Sequence, residues 1–167
     1  MSTKQNPNFD IGEIVVYPKH GVGEIVKLET MEISSIKTKF YIVKMEQGKL
    51  TIRVPLDKQK EVGLRKISSK KIIEEVFNIL KLKPKIRRIM WSRRAQEYDG
   101  KIFSGDPIKI AEVVRDLFRK NNQPEQSYSE RQMFQIALER LAREVAAVEK
   151  TDYFQSTEKI ENILNNK

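Results

Sequence analysis

The chain has 167 residues, of which 33% are charged and 39% hydrophobic, with one histidine, no cysteine and a formal net charge of +9. No apolar run approaches the roughly 20 residues of a membrane helix, no disulfide or thiolate metal site can be built, and one His leaves little material for His-based metal or acid–base chemistry. The basic balance points instead to phosphate-bearing partners, with an anionic membrane surface the weaker alternative. The polar start, Met1 to Asn8, does not read as a secretory signal. Lack of cysteine fits a reducing cytosol, so a cytoplasmic protein is expected.

Residues 1–66 read as β. Glu13-Ile14-Val15-Val16-Tyr17 is a β-branched run closed by Pro18, and Gly21 and Gly23 punctuate the hairpin that follows. Val22 to Ile33 shows loose alternation; Phe40 to Met45 and Lys49 to Val54 come next, the last ended by Pro55. Gln47-Gly48 between these two predicts a two-residue turn, with Gly taking the positive φ a tight hairpin demands. Four or five short strands at this spacing predict a small barrel-like sheet.

From Ser68 the period becomes helical. Ile72, Ile73, Val76, Phe77 and Leu80 recur on one face behind a Ser68/Ser69 cap. Pro84 separates this helix from a second one predicted from about Lys85 to Tyr98. A third opens with Asp106 as N-cap and Pro107 at the first helical position, burying Ile108, Ala111, Val114, Leu117 and Phe118. The polar connector 121–126 leads to a fourth helix starting at Ser129, with Gln132 completing a capping box and Tyr128 and Met133 placed as a staple. Its predicted core face is Met133, Ile136, Ala137, Leu141 and Val145. A short last helix, Glu158 to Leu164, offers Ile160, Ile163 and Leu164. The expected class is α+β, a small β domain over 1–66 followed by a compact all-helical domain over 67–167.

Charge is concentrated. Residues 81–101 hold eight Lys/Arg and two acids, a surplus of +6 in a chain of +9, and the only tryptophan lies inside this island. Such a patch repels itself unless something negative meets it. If Lys85 to Tyr98 is one helix, Trp91 shares a face with Arg87, Arg88, Arg94 and Tyr98, while Ile86, Ile89 and Met90 form a separate stripe toward the core. On that geometry the indole stands with arginines that can hold phosphates, and a flat ring can wedge against an unstacked base step. The competing reading makes Trp91 a cap on the core and the arginines a solvated face. Both stay open on the residues alone.

Other signals are weaker. His20 has no second His or Cys with which to form a site, and Gly21-x-Gly23 lacks the spacing of a phosphate loop. Ser92 has no base close in sequence, so a helix-surface Ser is the better reading. The acids of the last helices read as solvated faces with i,i+4 partners such as Glu139 and Arg143. The strand Thr51-Ile52-Arg53-Val54, if it lies at a sheet edge, could accept a partner strand, with Arg53 selecting a carboxylate; otherwise Arg53 is an ordinary outward residue.

Four motifs in order then matter together: Glu13-Ile14-Val15-Val16-Tyr17-Pro18 with His20-Gly21; Gly48-x-Leu50-Thr51-Ile52-Arg53-Val54-Pro55; Trp91-Ser92-Arg93-Arg94; and Ala111-Glu112-Val113-Val114-Arg115-Asp116-Leu117. Over residues 10 to 165 the chain resembles the CarD/CdnL family of bacterial transcription regulators. The resemblance implies a Tudor-like domain, similar to the polymerase-interacting domain of transcription-repair coupling factors, followed by a helical DNA-binding domain. It implies that Arg53, with Thr51 and Ile52, contacts the RNA polymerase β subunit, and that Trp91 enters the minor groove of promoter DNA at the upstream edge of the bubble and stabilises the open complex. Arg93 and Arg94 would clamp the DNA backbone, with Lys120 and Arg131 flanking the wedge. Two positions depart from the pattern. Met31 stands where some members carry a second polymerase-contacting arginine, and Gln96 replaces a basic residue, for which Arg87 and Arg88 are the nearby substitutes.

The leading expectation is therefore a non-enzymatic, cytoplasmic transcription factor, brought to the nucleoid by polymerase, with no cofactor, catalytic residue, metal, small-molecule substrate or membrane partner. A general RNA-binding module, with Trp91 stacked on an unpaired base, and a protein–protein adaptor with a solvated basic face are the alternatives.

Overall fold

The β-branched runs pair into one antiparallel sheet of five strands: β1 (Ile14–Tyr17), β2 (Gly21–Ile33), β3 (Ile36–Met45), β4 (Thr51–Pro55) and β5 (Arg65–Lys66). Their spatial order is β4-β3-β2-β1-β5, so β4 and β5 are the edges. The computed structural model describes residues 8–120, 123 and 126–167. By contact density the chain divides into two compact units, Met1–Ile67 and Ser68–Lys167, and the architecture is the expected α+β.

Period-two alternation builds the core of the first unit. Tyr41, Val43 and Met45 of β3 point to the same face as Val54 of β4 and meet Val15, Ile25, Leu56 and Leu64. Phe9 packs edge-on against Tyr41, with ring centroids 5.7 Å apart. The Tyr41 hydroxyl accepts the Asn8 and Phe9 backbone N–H groups at 2.7 and 3.3 Å, which ties the entering chain to the sheet. A bulge between Ile25 and Lys27 turns Val26 outward. The β2–β3 connection is the tightest turn: Ser34 and Ser35 both have positive φ (51° and 66°) between the paired Ile33 and Ile36, the backbone of a two-residue hairpin.

The two-residue turn expected at Gln47-Gly48 does not form. Pairing ends at Lys44 and Thr51, and the Met45 N–H donates to the Leu50 carbonyl at 3.0 Å, leaving Glu46 to Lys49 as a four-residue loop. Burial of Met45 holds the register, and Gly48 takes a positive φ of 72° within the longer loop.

Among its described residues the second unit has five α-helices: α1 (Lys70–Leu80), α2 (Trp91–Phe103), α3 (Pro107–Leu117), α4 (Tyr128–Glu149) and α5 (Tyr153–Asn165). Its centre is α3, where Ile110, Ala111, Val113, Val114 and Leu117 are all buried, while the expected Ile108 and Phe118 are only half-buried. Ser69 caps α1 through the Ile72 N–H, and Asp106 caps α3 through Ile108, as their positions predict. Glu144, buried on α4, accepts both the N–H and the hydroxyl of Ser68 at 2.9 and 2.6 Å, fixing the start of the unit.

Three helix boundaries differ from expectation. The α4 cap is Ser127, which accepts from the Glu130 N–H; Gln132 instead donates to the Tyr128 hydroxyl, and Ile136 is exposed. Ser127-x-x-Glu130 is the better capping pair because an acid in the first turn complements the helix dipole. α5 begins at Tyr153, capped by Asp152 through the Gln155 N–H, a full turn earlier than its apolar residues suggest. Most consequentially, residues 83–90 are not helical and α2 starts at Trp91. Pro84 disfavours a helical Lys83, and a helix through this stretch would stack Lys81 on Lys85 and Lys83 on Arg87 at like-charged i,i+4 spacing. In the connector 121–126, residues 121, 122, 124 and 125 lie outside the described residues. Among the described residues no helix is long and apolar enough to cross a membrane.

Gly23 shows how tightly the sheet is packed. A Cβ there would stand 2.9 Å from Met45 Sδ, 2.9 Å from Val43 Cγ1 and 3.0 Å from the Lys44 carbonyl oxygen. Gly23→Ala should therefore cost about 1–3 kcal/mol by overpacking, read as a lower urea midpoint for loss of the strand signal.

Candidate nucleic-acid interface

The basic connector runs exposed along the surface and is tied to the core at Lys85 by one buried carboxylate. Asp116 Oδ1, on α3, accepts the Lys85 N–H at 2.9 Å and Arg115 Nε at 2.8 Å, and both its side chain and that of Arg115 are about 95% buried. An ion pair that deep persists only when its hydrogen bonds are satisfied, and the Lys85 amide supplies one of them. Beyond this anchor Arg87 pairs with Glu97 of α2 at 2.8 Å, and Lys101 of α2 with Glu112 of α3 at 2.7 Å. Arg88 is exposed.

The chain then enters α2 through Met90, which is 74% exposed and extended (φ −55°, ψ 142°). A thioether cannot cap a helix, and no side chain caps this one; its first turn holds no acid. The N–H groups of Arg93 and Arg94 reach the Met90 carbonyl, but those of Trp91 and Ser92 have no acceptor among the described residues.

Because the helix begins at Trp91, its phase is not set by residues 86–90. Trp91, Ala95, Tyr98 and Ile102 fall at i, i+4, i+7 and i+11, one stripe, of which Tyr98 and Ile102 are buried. The separate apolar stripe expected from Ile86, Ile89 and Met90 does not form: Ile86 and Met90 are exposed. Nor do Arg87 and Arg88 share a helical face with Trp91. The indole instead heads its helix's own core-facing stripe and is half-buried there. Its Nε1 donates to Ser129 Oγ in the first turn of α4 at 3.3 Å, and its ring centroid is 6.3 Å from that of Tyr98. The Arg94 guanidinium lies 5.4 Å from the Trp91 centroid and 5.7 Å from the Tyr98 centroid.

The other basic candidates separate. Arg93 is exposed on the first turn of α2, and Arg131 is exposed two residues beyond Ser129. The Lys120 ammonium donates to the Lys167 carbonyl at 2.5 Å, and Lys167 Nζ reaches the carbonyls of Leu80 and Leu82 at 3.1 and 2.7 Å. Burial first, then the charge of Arg115, lowers the Lys167 pKa from the ordinary lysine value. Tyr98 stands beside Trp91 as the residues suggest, whereas the roles of Asp116 and Ser129 are not legible in the sequence, because their contacts to Lys85 and Trp91 span 31 and 38 residues.

In the first unit β4 is an edge strand. Register places Arg53 opposite Ile42, Glu29 opposite Phe40 and Met31 opposite Thr38, so Arg53, Glu29 and Met31 share the face turned away from Tyr41 and Val43. Thr51, opposite Lys44, is on that face as well, whereas Ile52, opposite Val43, is on the core side and half-buried. Arg53 is more than half exposed and stands 3.9 Å from Glu29 Oε1. No group of three or more metal-ligating side chains occurs among the described residues.

Residues 75–162 match the family model of the CarD C-terminal domain, and residues 9–68 that of the CarD-like/TRCF RID domain. The chain is also similar to "Putative transcription factor YdeB" of Bacillus subtilis (strain 168), at 29% identity over 140 residues, covering 84% of this chain and 92% of that protein.

Asp116→Ala would leave Arg115 buried without its carboxylate and free the Lys85 amide. We expect a loss of about 3–5 kcal/mol, measured as a lower urea midpoint, together with faster hydrogen exchange at the Lys85 amide in partial denaturant.

Proposed function

Since the chain belongs to the CarD family of transcription factors, we propose that it bridges RNA polymerase and promoter DNA without enzymatic chemistry, acting as a wedge at the opening duplex. One observation carries the DNA half. Among the described residues, four of the five α-helices are capped by side chains, from Ser69, Asp106, Ser127 and Asp152, and the exception is the helix that begins with the only tryptophan. The bare N-terminus of α2 carries the positive end of the helix dipole and unpaired N–H groups, an arrangement suited to phosphate. Arg87, Arg88, Arg93 and Arg131 add cations around it, with Lys120 further along the chain. Trp91, half exposed between them, supplies the flat apolar surface. Unstacking a base step costs a few kcal/mol, so the indole acts in the minor groove where the duplex is already opening, at the upstream edge of the bubble.

The polymerase half rests on β4. Its free edge can accept a strand from the β subunit of RNA polymerase, main-chain hydrogen bonds giving affinity and Arg53 selecting a carboxylate. Thr51 and Met31 lie on the same face as Arg53, and Ile52 braces the strand from the core side. Met31 offers apolar contact where a charge could have stood.

The bridge separates into its two halves by mutation. Trp91→Ala should shorten the lifetime of the promoter open complex while polymerase still pulls down the protein; Arg53→Glu should abolish the pull-down yet leave affinity for a forked duplex intact. Unchanged open-complex lifetime in both variants refutes the bridge, and tighter binding to single-stranded RNA than to the fork at matched salt favours the RNA-binding alternative. A second test uses the missing cap. Met90→Asp should stabilise the helical unit by about 0.5–2 kcal/mol, seen in urea unfolding, while weakening forked-duplex binding, because the new carboxylate occupies the N–H groups that a phosphate would take.

A further inference from the structure

Arg93 and Arg94 are adjacent, and a helix turns about 100° between neighbours, so the two guanidinium groups meet different surroundings. Arg93 is exposed. Arg94 turns inward: its guanidinium carbon is 5.4 Å from the centroid of Trp91 three residues before it and 5.7 Å from that of Tyr98 four residues after it. Both distances are within cation–π range. Arg94 Nη2 also lies 3.4 Å from the Tyr98 hydroxyl, and its Nε is shielded from solvent with no hydrogen-bond partner among the described residues. Tyr98 is itself 6% exposed, so it is a fixed point of the core. Apart from these contacts the indole meets the Tyr98 ring directly at a tilt, with centroids 6.3 Å apart, and among the described residues it makes one hydrogen bond, from Nε1 to Ser129.

We infer that Arg94 is a positioning residue for Trp91 rather than a phosphate clamp: it links the indole to the buried Tyr98 ring and presets the angle at which the indole is offered. The planar guanidinium is suited to this because it stacks on ring faces, which a lysine ammonium does not do in the same way. A ring held this way need not be ordered on contact with DNA, so less conformational freedom is lost on binding. The inference rests on the DNA-binding reading for its consequence, but the contact itself belongs to the free protein and can be tested there.

Trp91 is the chain's only tryptophan and reports on its own setting. In the full-length protein without DNA, Arg94→Gln and Arg94→Lys should both shift the Trp91 emission maximum, raise its acrylamide quenching and speed its anisotropy decay, whereas Arg93→Gln should change none of these. Far-ultraviolet circular dichroism confirms that each variant is folded. On a forked duplex, Arg94→Gln should weaken binding several-fold with the slope of log K against log salt unchanged, while Arg93→Gln should lower that slope by about 0.9, the signature of one lost phosphate contact. An Arg94→Gln protein with wild-type Trp91 fluorescence overturns the inference. So does a salt slope reduced by about 0.9 in Arg94→Gln and restored in Arg94→Lys, since a lysine can replace a phosphate contact. If Trp91→Ala binds the fork as wild type, the DNA reading fails, and the fluorescence of the Arg94 variants still decides whether Arg94 sets the indole.

Discussion

The path of the basic connector is tied to the helical core by the buried carboxylate of Asp116. Asp116 holds the Arg115 guanidinium and the Lys85 amide at 2.8 and 2.9 Å. Burying such a charge is unfavourable unless its partners are in place, so the pair selects the one path of the connector that brings Lys85 to α3. Beyond Lys85 the like-charged stretch is non-helical, Arg87 reaches Glu97, and α2 starts at Trp91. The A-E-V-V-R-D-L run of α3 thus both fills the centre of the core and carries the anchor for the outer basic segment.

The start of α2 inverts the usual logic of a helix terminus. A protein ordinarily satisfies the first N–H groups with its own side chains and places acids near them. Here the cap position holds an apolar Met90, and the first turn holds Arg93 and Arg94. Locally this is destabilising: cations sit at the positive end of a dipole and amides go without acceptors. The packing of Tyr98 and Ile102 on the same stripe offsets that cost, as does the pairing of Glu97 and Lys101 with Arg87 and Glu112. On the proposed reading, a phosphate of the DNA completes this terminus, which would link the local strain to the proposed role.

The two units offer surfaces of different chemistry. The sheet offers backbone at an open edge, with Arg53, Thr51 and Met31 on one face, a surface suited to another polypeptide. The helical unit offers a half-exposed ring, a bare helix terminus and several guanidinium groups, a surface suited to nucleic acid. The Arg53–Glu29 contact of 3.9 Å is long and its arginine more than half exposed, so the guanidinium stays accessible to a competing carboxylate.

Much of this was written in local sequence. The change from period two to helical spacing near Ser68, the caps at Ser69 and Asp106, and the edge-strand possibility for Thr51 to Val54 all follow from interactions within a turn or across one pleat, and the fold carries each of them. The charge density around a lone tryptophan and the four ordered motifs marked the candidate site. What residues alone could not decide was the phase of the site. Within one turn, Pro84 and the like-charged i,i+4 pairs weaken a helix through 85–90 but do not fix where the next one starts. The deciding contacts span 31 residues from Lys85 to Asp116 and 38 from Trp91 to Ser129. Only the tertiary structure brings those groups together, and since a helix advances 100° per residue, the position of its first residue determines which way the indole and each arginine face.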